Sequence, residues 1–466
     1  MSKRYYVLIL LGLGLLTRFM FFGHPNETVF DEVHFGKFIS GYYTREYFFD
    51  IHPPLGKLAI AGFAKVFHFK PEFAFAEIGD AYPDKQYLVL RFLPALAGAL
   101  LPLVIYLLAL EMGFRRQYAF TGGLLIALDN ALLTQSHYIL LDSFLLLFGF
   151  LALLFYFKSG KPWAPWHNKW YKPWCPWFLF GLFSGLAISI KWTGLAFLAL
   201  PLAFELFSNL KEKQYKNIPK LAIPVVIAGV LYFAFFAIHL TVLNRSGPGD
   251  AFMSQGFRKT LAGNKVSPTE TMPPSNIFQK FTELNTEMYK ANQNLKAEHP
   301  YSSVWYTWPF MSRPIYYWVH DNARIYLIGN PVIWWLATAA ILYALLNIIL
   351  NGLRTLKDKT MIFLLGGYVL NLLPFIGVKR VMFLYHYFVA LIFSILILAY
   401  ILDKSFDKAQ DKQSLDKLGT GKSSKWVIGT LLVLSAAAFI FFAPLSYGLN
   451  LSPGAYEARV WFDSWR

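Results

Sequence analysis

Charged side chains are scarce in this chain: Asp, Glu, Lys and Arg make up 15% of its 466 residues, against roughly 25% in soluble domains. With 56% apolar residues and a mean hydropathy of +0.42, the chain cannot clothe a water-facing globule. A soluble enzyme is excluded, and so is a disordered chain. Cysteine is almost missing: Cys175 alone forbids an internal disulfide and any thiolate metal cluster. Acids are the rarer sign, 27 against 43 Lys and Arg, giving a net charge of +16. In a soluble protein that balance points to nucleic acid. In a membrane protein it is the usual enrichment of Lys and Arg in cytoplasmic loops, so no nucleic-acid partner is expected.

Long apolar runs dominate what is present. Eleven stretches approach the 20 or so residues that match about 30 Å of hydrocarbon. They lie near 4–22, 86–112, 117–130, 138–157, 178–190, 192–208, 221–243, 326–351, 361–377, 381–402 and 426–448. The fifth and sixth are short and meet at Lys191, so they can also be read as one bent segment. The first follows Lys3 and Arg4 but ends at Arg18 without a small-residue cleavage site, which predicts a retained span rather than a signal peptide. Basic residues in alternate short loops, among them Arg115, Arg116, Lys211, Lys213, Lys216, Lys220 and Arg354, place the N-terminus inside and the C-terminus outside. Trp163, Trp166, Trp170, Trp174 and Trp177, among lysines and prolines, read as headgroup-level anchors of an inner loop. The expected organisation is an all-α transmembrane core over residues 1–402, a cytoplasmic linker at 403–425, and a last span with an outer tail at 426–466. Gly-Lys-Ser within the linker lacks the strand and spacing of a nucleotide loop. Two outer loops, 23–85 and 244–325, exceed the usual connection length and are the expected seat of chemistry.

Within the first loop Asp31 and Glu32 are adjacent, about 100° apart on a helix, so they cannot share one task equally. Asp31 reads both as a cap of the following helix and as a candidate base. His52 precedes Pro53 and Pro54, which pre-set a helix start and hold it near the membrane surface. Ionisable groups inside spans need a reason, because each costs about 2.5–3.5 kcal/mol at a helix centre. Arg91, Asp129, Asp142, Lys379, Arg380 and His386 all fall at outer ends, which predicts a polar cavity there. Cations beside a carboxylate suit a lipid-linked phosphosugar: the cations hold the phosphate and the carboxylate takes a proton from an attacking hydroxyl.

These residues lie in segments that resemble the protein O-mannosyltransferases, enzymes of the C-type glycosyltransferase fold that use dolichyl- or polyprenyl-phosphate mannose. The segments are FDEVHFGKF at 30–38, YFFDIHPPLGKL at 47–58, LDNALLTQSHYILLDS at 128–143, SIKWTGL at 189–195 and SGPGDAFMSQGF at 246–257. HPYSSVWYTWPFMSRPIYY at 299–317, GNPVIWW at 329–335 and FLYHYF at 383–388 complete the set. The resemblance implies inverting transfer of mannose to Ser or Thr of exported polypeptides at the outer face. It implies Asp31 as general base and Glu32 as its acidic partner in positioning. Arg91 matches the functional arginine of the second span, and Arg380 and His386 approach the lipid phosphate. His52, Asp142 and Arg313 are expected in support. No cofactor is required, although a loosely held divalent ion beside Asp31 and Glu32 stays open. The loop at 244–325 is too short for the β-trefoil inserted in eukaryotic members, which points to the cytoplasmic membrane of a bacterium or archaeon, with the endoplasmic reticulum as the alternative. A dimer is compatible with the resemblance. Two rival readings are a C-type transferase with another lipid-linked sugar or a lipid or glycan acceptor, and a non-catalytic transporter or lipid-binding protein, for which no internal repeat is evident.

Overall fold

The computed structural model describes residues 2–159, 174–264, 272–294, 298–352, 358–412 and 420–466. Each of the eleven apolar stretches carries a helix, because backbone in hydrocarbon has to satisfy its polar groups within its own segment. The helices are α1 (Lys3–Phe19), α2 (Glu32–Thr44), α3 (Leu55–Val66), α4 (Tyr87–Glu111), α5 (Arg116–Ala127), α6 (Asn130–His137), α7 (Asp142–Lys158), α8 (Trp174–Ile188) and α9 (Leu195–Lys211). They continue with α10 (Ala222–Val242), α11 (Gln255–Arg258), α12 (Ile277–Asn294), α13 (Pro331–Asn351), α14 (Lys359–Leu370), α15 (Phe388–Lys412), α16 (Thr420–Tyr447) and α17 (Pro453–Glu457). Strands β1 (Ile315–His320) and β2 (Ala323–Leu327) form one antiparallel hairpin. Among the described residues seven helical segments are long and apolar enough to cross a membrane. The others are shorter, such as α1 with 17 residues and α5 with 12.

Helix α4 lies at the centre, against α1, α5 and α7, while α15 packs on α13, α14 and α5. Arg18, at the end of α1, is buried and spends its guanidinium on the carbonyls of Ala127 (2.6 Å) and Ile126 (3.1 Å). It thereby satisfies the open C-terminus of α5.

Two features depart from the sequence reading, and one decides between alternatives it left open. The polar run between the third and fourth stretches is no external turn but a buried helix, α6, set at 116° to α7. Asp129 makes this possible by accepting from Leu132 N (2.9 Å) as an N-cap and from Trp334 Nε1 (2.7 Å). Lys191 adopts an extended conformation between α8 and α9, so the fifth and sixth stretches are separate helices. Gly194 lets them meet closely, since a Cβ there would lie 2.4 Å from the Ala187 carbonyl carbon. The expected linker at 403–425 is largely the end of α15 and the start of α16; residues 413–419 lie outside the described ones. Most of the tryptophan-rich inner loop is likewise outside them, up to the start of α8.

Candidate functional site

The segment before α2 is pinned by one buried ion pair. Glu32 Oε1 accepts from Arg91 Nε (2.7 Å) and Ile139 N (2.9 Å), and Oε2 from Arg91 Nη2 (2.6 Å), Val29 N (2.9 Å) and Tyr82 OH (3.1 Å). Arg91 also donates to the carbonyls of Pro25 (2.7 Å) and Glu27 (2.8 Å). Its guanidinium is enclosed by the rings of Tyr82, Tyr87 and Tyr138 at 4.9–5.5 Å. Both residues are 0% exposed. A buried bidentate pair of this kind holds backbone in place. Four of the five Arg91 N–H groups are spent on Glu32 and the loop carbonyls of Pro25 and Glu27, and both Glu32 oxygens are engaged, so the pair acts as a brace for the segment before α2.

Asp31, one residue earlier, is aimed differently. It begins α2 without a side-chain hydrogen bond to that helix, so the capping role is not taken up. Burial pushes its carboxyl up, Lys191 opposes the rise, and Asp142 and Asp50 add to it, bringing the group to about 7.

Lys191 and Asp142, which act on this carboxylate, line a cavity of about 420 Å³. Its lining combines apolar side chains, among them Leu145, Leu146, Ala196, Leu370 and Val389, with the polar and charged His52, Asp142, Lys191, Arg380, Tyr385 and His386. Lys191 Nζ donates to Asp142 Oδ1 (2.8 Å) and stands 5.2 Å from the centre of the Tyr385 ring. Gln135 Nε2 holds the other Asp142 oxygen (2.7 Å). Arg380 Nη2 lies 3.2 Å from His386 Nε2. A guanidinium only donates, so Nε2 accepts and the imidazole proton sits on Nδ1, which donates to the Phe383 carbonyl (2.9 Å). Among the described residues no carboxylate forms an ion pair with Arg380. His52 is held by Lys57, which is buried, ion-paired with Asp50 and bonded to the His52 carbonyl (3.0 Å). Burial drives the His52 imidazole well below its ordinary value, and Lys191, Arg380, Lys57 and His386 push the same way, so it is neutral.

Of the residues singled out from sequence, His52, Asp142, Arg380 and His386 line the cavity, and Asp31 stands within electrostatic reach of its Lys191 and Asp142. Glu32 and Arg91 form the support behind Asp31. Arg313 is elsewhere: it donates to the carbonyls of Pro300 (2.7 Å) and Ser464 (3.0 Å), strapping the C-terminal tail. Sequence reasoning missed Lys191, Asp50, Gln135 and Tyr385. Lys191 had a signal, a lone cation where two apolar stretches meet, but it was taken for a connection. Among the described residues no cluster of His, Cys, Asp and Glu has the makings of a metal site.

Residues 8–244 match the family model described as dolichyl-phosphate-mannose-protein mannosyltransferase, and residues 277–465 match that of the C-terminal four-transmembrane region of protein O-mannosyltransferase. The chain is 36% identical to dolichyl-phosphate-mannose–protein mannosyltransferase 1 of Candida albicans over 57% of its own length and 31% of that protein. It is 37% identical to protein O-mannosyltransferase 1 of Drosophila melanogaster over 58% and 31%. The matched part thus spans under a third of these relatives. Among solved structures, that of the Saccharomyces cerevisiae Pmt1-Pmt2 complex bound to the sugar donor superposes with a TM-score of 0.90 at 22% identity, covering 100% of this chain and 93% of that one. ArnT from Cupriavidus metallidurans bound to undecaprenyl phosphate gives 0.56 at 12%, covering 96% and 77%. At these identities the likeness concerns the fold, which is that of the C-type glycosyltransferases and makes this a multi-pass membrane protein. Matched along both halves, the chain belongs to the protein O-mannosyltransferase family.

Proposed function

We propose that this protein transfers mannose from a dolichyl- or polyprenyl-phosphate mannose to Ser or Thr hydroxyls of exported polypeptides, with inversion at the anomeric carbon. The observation that carries this reading is Asp31, with no cap to serve and its carboxyl near 7, within electrostatic reach of Lys191 and Asp142, which line a cavity carrying both cationic and apolar side chains. The acceptor hydroxyl gives its proton to Asp31 as its oxygen bonds the anomeric carbon, and the bond from that carbon to the phosphate oxygen breaks, its electron pair leaving with the phosphate. A base titrating near working pH is well matched to that task. Arg380 and Lys191 face the leaving phosphate, whose charge grows in the transition state, so fixed cations there stabilise it more than the ground state. The phosphate needs no general acid. The apolar side chains of the cavity take the first isoprenoid units.

No metal takes part in this reading, because both Glu32 oxygens are already engaged by Arg91. Chelation by EDTA is expected to leave the rate unchanged. The site is placed on the extracytoplasmic side of a bacterial or archaeal cytoplasmic membrane, with the N-terminus inside, in keeping with the basic loops. By likeness to the two-chain yeast complex, a second copy of this chain is proposed as partner, and native mass spectrometry counts it.

The test is incubation of membranes with labelled polyprenyl-phosphate mannose and a Ser/Thr-rich peptide, followed by mass analysis. Asp31→Asn is expected to abolish transfer while leaving donor binding intact. Transfer surviving that change overturns the base. Label appearing in lipid or glycan in place of peptide favours the sister reading with another acceptor.

A further inference from the structure

The hairpin of the second outer loop reaches the site through one residue. In β1 the register slips between Tyr316, opposite Tyr326, and Trp318, opposite Ile325, leaving Tyr317 as the extra residue of a β-bulge. A bulge frees a backbone carbonyl from the ladder and re-aims a side chain. Both happen here. The Tyr317 carbonyl accepts from Phe30 N (3.2 Å), and its ring stacks on Phe30 at 4.0 Å between centroids and 6° between planes. Phe30 is held at φ +47, a left-handed conformation that a bulky side chain adopts only when its surroundings enforce it. The next residue is Asp31, so the strained turn at Phe30 sets where that carboxylate begins.

The opposite edge of the ring does a second job. Tyr317 OH donates to Gln135 Oε1 (2.5 Å), Gln135 Nε2 donates to Asp142 Oδ2 (2.7 Å), and Lys191 Nζ donates to Asp142 Oδ1 (2.8 Å). A carboxylate can only accept, so the Gln135 amide has a single sense in this chain, and its oxygen needs a donor such as the phenol. Tyr317 is 1% exposed and Gln135 3%, so water does not replace either link.

We propose that Tyr317 is a positioning residue for both ends of the site: its ring and carbonyl hold Phe30 and so aim Asp31, while its hydroxyl, through Gln135 and Asp142, fixes Lys191 toward the donor phosphate. The proposal rests on the reading of Lys191 as a phosphate-facing cation. It makes the second outer loop part of the catalytic geometry, although no residue of that hairpin touches substrate in this scheme.

Tyr317→Phe keeps the stack and removes only the hydroxyl. It is expected to weaken binding of polyprenyl-phosphate mannose on the order of tenfold, the size of one buried hydrogen bond left unmade, and to lower kcat as well, because Lys191 faces charge that grows in the transition state, with the acid limb of the pH profile little changed. Gln135→Leu is expected to do the same, and the double variant to bind no worse than either single one, because both cut one chain. Tyr317→Leu also removes the stack; it is expected to lower kcat and to shift the acid limb to lower pH as water reaches Asp31. Lys191→Met serves as the control. If it weakens donor binding and Tyr317→Phe does not, the relay is overturned and the Lys191 reading stands. If Lys191→Met binds donor as the unaltered protein does, the reading beneath the relay fails. Additive losses in the double variant also overturn the relay.

Discussion

At Asp31 two fates were open to one carboxylate, and the side chain leaves the N–H groups of the helix it begins unused. Its carboxyl, raised to about 7, has to be ionised to act as a base, so activity is expected to be full above that value and to fall about tenfold per pH unit below it. Initial rates between pH 5 and 9 check this, and Asp31→Asn flattens the limb along with the activity. Glu32 and Arg91 behave oppositely. Removing one partner of a buried pair costs about 3–5 kcal/mol, so Arg91→Leu is expected to lower the melting temperature in detergent markedly while the surviving folded fraction binds donor normally. Weaker donor binding without loss of stability counts against that assignment. The difference between these neighbours explains what was legible. Ionisable groups at the ends of apolar stretches marked Asp142, Arg380 and His386, because burying charge is costly wherever it occurs, while Asp31 and His52 were marked within the first outer loop, by adjacent carboxylates and by the two prolines after His52. Direction was not legible: depth along α4 places Arg91 with the others, but only tertiary packing reveals that it faces Glu32 and three tyrosines.

Among elements, the helices were readable from apolar runs, and the corner between α6 and α7 was not. Its polar residues, Asn130, Thr134 and Gln135, resemble those of a surface turn, yet all of α6 is buried. Their donors find partners from inside, as when Asn130 Nδ2 donates to Ser446 Oγ (3.0 Å), and no local pattern announces such distant partners. The corner also donates Ile139 N to Glu32, which ties α7 to the start of α2. A comparable junction joins the two outer loops, where Gly249 N donates to the Tyr47 carbonyl (2.9 Å). A Cβ at Gly249 would lie 2.5 Å from Phe49 N, a backbone atom with little room to yield. Gly249→Ala is therefore expected to spread the loops, shift Asp50 and His52, and cut transfer severalfold more than it lowers stability, which paired rate and melting measurements compare.

For the whole molecule, the distribution of basic loops implies a definite sidedness, and the composition supplies its own reporter. Cys175 is the sole cysteine and is exposed at the start of α8. In intact cells a membrane-impermeant maleimide is expected to leave it unlabelled, while a Cys175→Ser variant carrying Tyr306→Cys, at a residue exposed on the second outer loop, is expected to react. The reverse pattern inverts the topology. The mixed lining of the cavity, greasy and cationic side chains together, has a kinetic consequence under the proposed reaction. Loaded donor and discharged carrier differ only by a hexose and occupy one berth, so each turnover ends with the spent lipid still lodged there. Its departure then gates the next cycle, and accumulated carrier phosphate inhibits by competing with fresh donor.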